Sequence, residues 1–341
     1  MTARRPLSAQ ASFFSVNIGP YSIDVPLALA PMAGLSDLPF RETCRAHGAG
    51  YAVGEMTASK PELRGTRKSA TRWAERSEAS PRAVQLLGAD PAQMADAARY
   101  AVDSGAQIVD INMGCPAKKV LSRECGSALM KDEALALAIV EAVANAVPVP
   151  VTVKMRTGWD RAHRNAPRLA RLFEEAGAAM LAVHGRTRED GFRGEAEYET
   201  IRLVKESVKI PVLANGDIDS GEKALAVLRA TGADGLMIGR AAVGNPWIFE
   251  EAAAAMGLRE GFEKPSAADR VRAAIAHARR HFVYYGGTRG AVTIRKHLAG
   301  YLKGLPGAPG VLSALFAERD PDRVTARLEE YCGELAASCV S

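Results

Sequence analysis

The run Asp110-Ile111-Asn112-Met113-Gly114-Cys115-Pro116 places a thiol directly after an apolar strand. Gly114 permits a sharp backbone turn before the thiol, and Pro116 fixes φ just after it. The amide of Asn112 can both donate and accept hydrogen bonds. These residue types predict a proton donor held beside a group that recognises a polar ligand. The alternative interpretation of Cys115 is an inert, packed thiol.

Eight short, β-rich apolar runs alternate with helical patterns such as 91–102 and 132–147. Because each run is almost continuously apolar, it is typical of a parallel strand covered on both sides. Eight such units favour a closed (β/α)8 TIM barrel over a doubly wound sheet. The turn Ala30-Pro31-Met32-Ala33-Gly34 also lacks the glycine pattern of a Rossmann sheet. The runs are 27–31, 50–55, 82–87, 107–112, 149–155, 180–184, 211–215 and 234–238.

The chain changes character near residue 264, after which only helical patterns remain. This predicts a catalytic barrel domain over residues 1–263 and a smaller all-helical domain over residues 264–341. The second segment carries 12 Lys and Arg against 7 Asp and Glu, whereas the first carries 32 of each, so the net charge of +5 lies in the second. Arg289, Lys296 and Lys303 recur every seven residues, which predicts a cationic stripe on one helix. Such a stripe is either a solvated face or a docking surface for phosphates.

Composition narrows the class of protein. Of the 341 residues, 48% are apolar, which is enough for a large core. The five cysteines are scattered without a CxxC pair, so we expect neither a disulfide framework nor a metal site, and a cytoplasmic location. No apolar run approaches the roughly 20 residues of a membrane span. Arg4 and Arg5 in an acid-free opening leave a transit peptide as a weaker alternative.

Polar residues follow the predicted strands where a TIM barrel places its reactive groups. The glycines after the seventh and eighth strands are typical of a phosphate-binding site, so we expect a phosphorylated cofactor. Lys154 could stabilise negative charge on an electron-accepting ring, and Gln85 could bind the edge of that ring, which fits flavin mononucleotide (FMN). A structural ion pair for Lys154 and a structural histidine at His184 stay open. The strand-end residues are Gln85, Asn112, Cys115, Lys154, Arg156, His184, Arg186, Asn215, Gly216, Asp217, Gly239 and Arg240.

Together these motifs resemble the bacterial tRNA-dihydrouridine synthases of the B type, from about residue 18 to the C-terminal helices. No single motif is decisive, but their order along the chain is highly specific. The motifs are Ala30-Pro31-Met32-Ala33-Gly34, Asn112-Met113-Gly114-Cys115-Pro116-Ala117-Lys118-Lys119-Val120, Val153-Lys154-Met155-Arg156-Thr157-Gly158-Trp159, His184-Gly185-Arg186-Thr187-Arg188, Asn215-Gly216-Asp217-Ile218, Met237-Ile238-Gly239-Arg240 and Arg295-Lys296-His297.

The resemblance implies a role for each matching position. Cys115 would be the proton donor, and Asn112 and Arg156 would face the uracil, with Arg186 also on the substrate side. The helical domain would grip tRNA through Arg289, Arg295, Lys296 and Lys303. The implied FMN-binding positions are Pro31, Met32, Ala33, Gln85, Lys154, His184, Asn215, Gly216, Asp217, Gly239 and Arg240.

The implied reaction reduces the uracil 5,6 double bond of a D-loop uridine, with the seventeenth position expected. A hydride from reduced FMN reaches C6, and a protein acid must supply the proton at C5. Free thiols titrate near pH 8.5 and are therefore protonated donors at neutral pH. NADPH would reduce the FMN, and we expect a monomer. A different flavin barrel enzyme, such as a dihydroorotate dehydrogenase, and a non-catalytic RNA-binding protein stay open as alternatives.

Overall fold

The computed structural model describes residues 15–67 and 69–338, so Arg4, Arg5 and Cys339 lie outside the described residues. Nine parallel strands form one sheet in the order β4-β3-β11-β10-β9-β8-β7-β6-β5. A parallel bridge from Val53, just after β4, to Ala83 of β6 closes the barrel, as predicted. The strands are β3 Leu27–Leu29, β4 Tyr51–Ala52, β5 Thr57–Ala58, β6 Ala83–Leu87, β7 Ile108–Met113, β8 Val151–Arg156, β9 Ala178–His184, β10 Val212–Asn215 and β11 Gly235–Ile238.

Nine strands form where eight runs are predicted, because the second run, 50–55, contains only β4 and an additional short strand, β5, follows it. β4 pairs with β3, the bridge at Val53 reaches β6, and β5 then pairs with the end of β6. Between these two short strands, the Glu55 carboxylate accepts hydrogen bonds from the backbone N–H of Gly34 at 2.7 Å and from Arg72 Nη2 at 2.9 Å. The loop after β3 is therefore tied to the second strand position.

A hairpin that the apolar runs do not reveal precedes the barrel. Its strands are β1 Val16–Ile18 and β2 Tyr21–Ile23, paired antiparallel. Val16, Ile18 and Ile23 are buried in one cluster with inward side chains of the barrel strands, including Ile108 and Met180. The hairpin therefore contributes apolar side chains to the barrel interior.

Thirteen α-helices are formed by the residues that the structure describes. Two predicted helices begin where an aspartate caps the first turn: Asp90 accepts from the backbone N–H of Gln93, and Asp132 accepts from that of Leu135. The helices are α1 Leu38–Ala46, α2 Pro91–Asp103, α3 Lys118–Leu121, α4 Glu133–Ala146, α5 Ala166–Glu175, α6 Glu199–Ser207, α7 Gly221–Thr231, α8 Ile248–Ala255, α9 Ala267–Tyr285, α10 Gly287–Thr293, α11 Arg295–Leu302, α12 Ala308–Ala317 and α13 Pro321–Ser338.

The last five helices enclose a separate hydrophobic cluster, built from residues between Val271 and Leu335. The predicted cationic stripe does not lie on one helix, which corrects the sequence-based expectation. Arg289 belongs to α10 and Lys296 to α11, with Ile294 between the helices, and Lys303 lies one residue beyond α11. None of the described helices is long and apolar enough to cross a membrane.

The helical cluster is packed closely against the barrel. A Cβ on Gly244, in the loop after β11, would lie 2.1 Å from the carbonyl carbon of Gly300 in α11. Arg280 of α9 donates from Nη2 to Thr43 Oγ1 of α1 at 2.9 Å. Residues that follow the barrel strands therefore have a fixed neighbour in the helical part.

A buried ion pair anchors α1, which follows the loop after β3. Arg41 donates from Nε and Nη2 to the two carboxylate oxygens of Glu78 at 2.6 and 2.5 Å, and from Nη1 to the carbonyl of Ser36 at 2.9 Å. The hydroxyl of Ser36 in turn accepts from the backbone N–H of Met32 at 2.7 Å.

We expect Glu78→Gln to lower the free energy of unfolding by about 3–5 kcal/mol, because Arg41 would keep a buried charge without its counter-ion. Urea denaturation monitored by circular dichroism measures the change. The double variant Arg41→Met with Glu78→Leu should recover part of the loss, and a single variant as stable as the wild type would contradict this account.

Candidate active site

The carboxyl ends of β6 to β11 place polar side chains at one mouth of the barrel. Parallel register sets Asn112 of β7 beside Lys154 of β8, and Arg156 of β8 beside His184 of β9. His184 is in turn beside Asn215 of β10. Since side chains two residues apart share a face, Lys154 and Arg156 belong to the same face of β8. The strand-end residues that the sequence predicts are therefore brought together.

The thiol of Cys115 lies in the loop after β7 and is partly exposed. The side-chain carbonyl of Asn112 accepts hydrogen bonds from the backbone N–H groups of Gly114 at 3.1 Å and Cys115 at 3.0 Å. The carbonyl of Cys115 accepts from the backbone and the hydroxyl of Ser127 at 3.1 and 3.0 Å. Both sides of the Cys115 backbone are therefore fixed.

A chain of side chains continues from Asn112 into the barrel. Asn112 Nδ2 donates to Gln85 Oε1 at 2.8 Å, and Gln85 Nε2 donates to Asp110 Oδ2 at 2.7 Å. The other Asp110 oxygen accepts from the hydroxyl of Thr152 at 2.5 Å. Asp110 is a residue that the sequence interpretation missed, because an acidic residue inside an apolar run carries no signal of its partners.

Lys154 and His184 form the electrostatic centre of the mouth. Exclusion of water, followed by the positive charge of Arg156, lowers the pKa of Lys154 to about 8, although Asp110 opposes the shift. Lys154 Nζ donates to Asn215 Oδ1 at 3.1 Å. Burial, followed by the positive charges of Lys154 and Arg156, holds the pKa of His184 well below its usual range, so the imidazole is neutral. The site is consequently rich in positive charge and suited to an anionic group.

Two predicted substrate arginines are engaged with the protein itself. Arg156 donates from Nε to the carbonyl of Gly114 at 2.7 Å and from Nη1 to the carbonyls of Thr187 and Gly191. Arg186 donates to both oxygens of Asp217 at 2.9 and 2.6 Å and to the carbonyls of Arg193 and Gly194. Arg186 Nη1 also lies 3.3 Å from His184 Nε2, so its five N–H groups all have partners.

The loops after β10 and β11 form the predicted phosphate side. The Asp217 carboxylate pairs with Arg186 and, at 3.1 Å, with Arg240 Nη2, so its charge is directed at protein cations. Among the described residues, no acceptor is bonded to the backbone N–H groups of Gly239 and Arg240. Gly216 has φ +128°, and a Cβ there would lie 2.8 Å from that of Ala196. Glycine is therefore required at this turn.

The loop after β3 borders the same mouth. Met32 Sδ and the Ala30 Cβ lie 3.6 and 3.7 Å from the position of a Cβ on Gly239, so this loop packs in van der Waals contact beside Gly239. Pro31 and Met32 are partly buried, and Ala33 is exposed. These residues can therefore offer backbone and apolar contacts to a flat group.

The four predicted tRNA-binding cations lie in three different surroundings. Arg289 and Lys296 line a cavity of about 630 Å³ between the helical part and the loops of the barrel, together with Arg67, Arg72 and Glu55. Lys303 is exposed beyond α11. Arg295 donates from Nη2 to the carbonyl of Glu318 at 3.1 Å and lies over the Phe316 ring, so its described contacts are within the helical part.

Phe192 is a second residue that the sequence interpretation missed. It follows β9 and is 58% exposed, although it is a large apolar residue. Its ring centre lies 6.3 Å from that of His184, and the guanidinium carbons of Arg156 and Arg240 lie 5.4 and 5.3 Å from it. A lone phenylalanine in a polar loop gives no sequence signal of this position at the barrel mouth.

Known proteins that are similar to this chain identify its family. Residues 28–334 match the family model described as dihydrouridine synthase. The chain belongs to the dihydrouridine synthase family. It is 50% identical over 322 residues to tRNA-dihydrouridine synthase B of Xanthomonas axonopodis pv. citri (strain 306), covering 94% of this chain and 97% of that protein. It is also 50% identical over 321 residues to the protein of that name from Pseudomonas aeruginosa (strain PAO1), covering 94% of this chain and 96% of that one.

Among solved structures, this dihydrouridine synthase family member is similar to histamine dehydrogenase from Rhizobium sp. 4-9. The TM-score is 0.52 at 14% identity, and the match covers 79% of this chain and 51% of that one. An identity this low supports the barrel fold alone. The resemblance that the motifs carry is confirmed by the family match and by the two close relatives.

Proposed function

We propose that the chain is a flavin-dependent tRNA-dihydrouridine synthase that reduces a D-loop uridine, with the seventeenth position as the expected target. The observation that carries the proposal is the placement of a partly exposed thiol, Cys115, beside a cationic barrel mouth centred on Lys154. The names of the relatives support a tRNA substrate for that chemistry. NADPH is the proposed reductant, and the cytoplasm and a monomeric state stay predictions.

The residues at the mouth fit FMN. The backbone N–H groups of Gly239 and Arg240, which have no acceptor in the described part of the chain, suit a phosphate together with the Arg240 guanidinium. Lys154 suits the electron-rich edge of a reduced ring, Gln85 has amide groups for its polar edge, and Met32 offers an apolar contact. His184 is neutral, and with Nε2 accepting from Arg186 its Nδ1–H is left to donate a hydrogen bond without adding charge. FMN held there would supply the hydride for C6 of the uracil.

The protein supplies the proton and the orientation. Cys115 donates its thiol proton to C5 as negative charge develops on the uracil. Asn112 holds the loop of Cys115. Its second N–H, whose Nδ2 lies 3.7 Å from the weak acceptor Met56 Sδ, is the donor it would offer to the base. Phe192 offers an exposed ring on which a base can stack. Arg186, with every donor occupied, acts by holding His184 and Asp217 rather than by touching the substrate.

The target uridine must leave its stack to reach the barrel mouth, at a cost of a few kcal/mol, which favours a flexible loop. Phosphate contacts would supply the position and affinity that this requires. Arg289 and Lys296 at the cavity, and Lys303 beyond it, are the proposed contacts. Arg295 would join them through the N–H groups that its contact with Glu318 leaves free.

We expect neutralising Arg289, Lys296 and Lys303 together, each to Gln, to weaken tRNA binding about tenfold or more at low salt. The plot of log affinity against log salt should become shallower by about 2, since each lost phosphate contact removes roughly 0.7–0.9 from the slope. Fluorescence titration of labelled tRNA at several salt concentrations measures both. Arg171, Lys209 and Arg229, exposed on the barrel, form the matched control triple. Equal affinities for the two triples would contradict the assignment.

The test of the proposed function begins with the purified protein. We expect bound flavin absorbance, which argues against a non-catalytic RNA-binding protein. With NADPH, unmodified tRNA should be converted to dihydrouridine, while orotate should not be consumed, which separates the proposal from a dihydroorotate dehydrogenase. Mass spectrometric mapping of tRNA from a deletion strain should show loss of dihydrouridine at one position. A protein that lacks flavin and leaves tRNA unchanged would refute the proposal.

The expected absence of a metal site stays a prediction. Asp37, His277 and His297 each place one potential ligand atom within 4.8 Å of the others. These three residues are buried where α9 and α11 pack against α1. The proposed reaction uses none of them.

A further inference from the structure

We propose that Asp110 is a positioning residue: as an acceptor-only group inside the barrel, it fixes the orientation of two side-chain amides and thereby the loop that carries Cys115. The chain of hydrogen bonds runs from Asp110 to Gln85, from Gln85 to Asn112, and from Asn112 to the backbone of Cys115. Its effect on turnover rests on the proposed function, whereas its effect on the loop does not.

The polarity of this chain follows from the chemistry of a carboxylate. An ionised carboxylate has no donor, so Gln85 must direct its Nε2 toward Asp110 and its Oε1 toward Asn112. Asn112 must then direct its Nδ2 toward Gln85. Its Oδ1 is left to accept from the backbone N–H groups of Gly114 and Cys115. A reversed amide at either link would set two donors or two acceptors against each other.

The position of Asp110 is costly for a carboxylate, which argues that it is not a mere space filler. The side chain is 1% exposed, and burial raises the pKa of Asp110 to about 6 against the opposing effect of its hydrogen bonds with Thr152 and Gln85. Its neighbours along β7, Val109 and Ile111, are fully buried and apolar. An apolar side chain would avoid the desolvation cost but would leave the Gln85 amide free to reverse.

Substitution of Thr152 makes it possible to test the direction of these hydrogen bonds while the side chains inside the barrel keep nearly the same volume. In Asp110→Asn, the new amide can direct its oxygen to Gln85 and its nitrogen to the Thr152 hydroxyl, because a hydroxyl also accepts. In Thr152→Val, the Asp110 carboxylate is still acceptor-only. Each single variant should therefore keep the donor-to-acceptor direction of the hydrogen bonds that join residue 110, Gln85 and Asn112. The double variant removes the group that orients the new amide, so Gln85 and Asn112 should lose their fixed orientation.

The experiment compares the flavin-loaded wild type, both single variants and the double variant by peptide-resolved alkylation with iodoacetamide. We expect the alkylation rate of Cys115 to change at least threefold in the double variant and less than twofold in either single variant. Cys332, partly exposed in the helical part, should keep its rate in all four proteins. The kcat for tRNA reduction should fall at least tenfold in the double variant, with KM for tRNA and flavin content within twofold of the wild type.

A folded double variant with unchanged Cys115 alkylation would overturn the inference, and so would altered alkylation with unchanged kcat. If the wild type itself forms no dihydrouridine, the proposed function fails, and the alkylation rates alone decide whether Asp110 orders the loop. Should the double variant not fold, Gln85→Met takes its place, because it interrupts the same chain one link closer to Asn112. Unchanged Cys115 alkylation in that variant would equally overturn the inference.

Discussion

Cys115→Ala should lower the rate of dihydrouridine formation by about 10²–10⁴-fold, the usual contribution of a positioned general acid. The variant should still bind flavin and accept electrons from NADPH, because the residues proposed to hold FMN are elsewhere. The loop should keep its shape, since its hydrogen bonds with Asn112 and Ser127 use backbone atoms of Cys115. Anaerobic rapid mixing of the NADPH-reduced variant with tRNA, followed by nucleoside mass spectrometry, measures this rate.

Cys332→Ala is the matched control, because this thiol is also free and partly exposed. Its Sγ lies 3.6 Å from the carbonyl of Ala268 in the helical part. The rate of dihydrouridine formation by Cys332→Ala should be within a factor of two of the wild-type rate. Full dihydrouridine formation by Cys115→Ala would remove the thiol from the mechanism.

Lys154→Met should bind FMN more weakly and lower the rate of its reduction by about 10²–10³-fold, comparable to the loss of one preorganised donor at a developing negative charge. The ammonium is held by Asn215 Oδ1. The neighbouring Arg156 donates to three loop carbonyls, so it does not replace the ammonium when Lys154 is removed. Methionine keeps most of the side-chain volume. Stopped-flow absorbance with NADPH reports the reduction rate, and fluorescence titration of the stripped protein reports the affinity.

The control for Lys154 is Lys209→Met, which removes one exposed positive charge between α6 and β10. In this variant the rate of FMN reduction and the affinity for FMN should both be within a factor of two of the wild-type values. If Lys154→Met instead retained wild-type reduction and affinity, Lys154 would be a structural cation of the barrel interior.

The fold is predictable from the sequence where the pattern is long and regular. Apolar runs such as 149–155 are sufficient because burial on both faces imposes continuous apolarity on a strand. The hairpin of β1 and β2 is missed because three-residue strands give no periodic signal. The break at Ile294 is also missed, since the residues around it keep helical spacing of apolar side chains across two helices.

The sequence predicts which residues lie at the candidate site, but it does not predict which of them are hydrogen-bonded to each other. Strand ends identify Lys154, His184 and Asn215 because a parallel barrel collects its carboxyl ends at one mouth. That Arg186 commits every donor to neighbouring groups depends on loop geometry that the sequence does not encode locally. The same holds for Asp110, whose partners lie 25 and 42 positions away along the chain.

Anaerobic single turnover tests the central claim most directly. The purified protein is reduced by NADPH, freed of excess nucleotide, and mixed with tRNA that lacks dihydrouridine. The account predicts that the bound flavin is reoxidised as dihydrouridine forms, in a ratio of about one to one. Flavin that stays reduced in the presence of tRNA, or that is reoxidised without forming dihydrouridine, would contradict it.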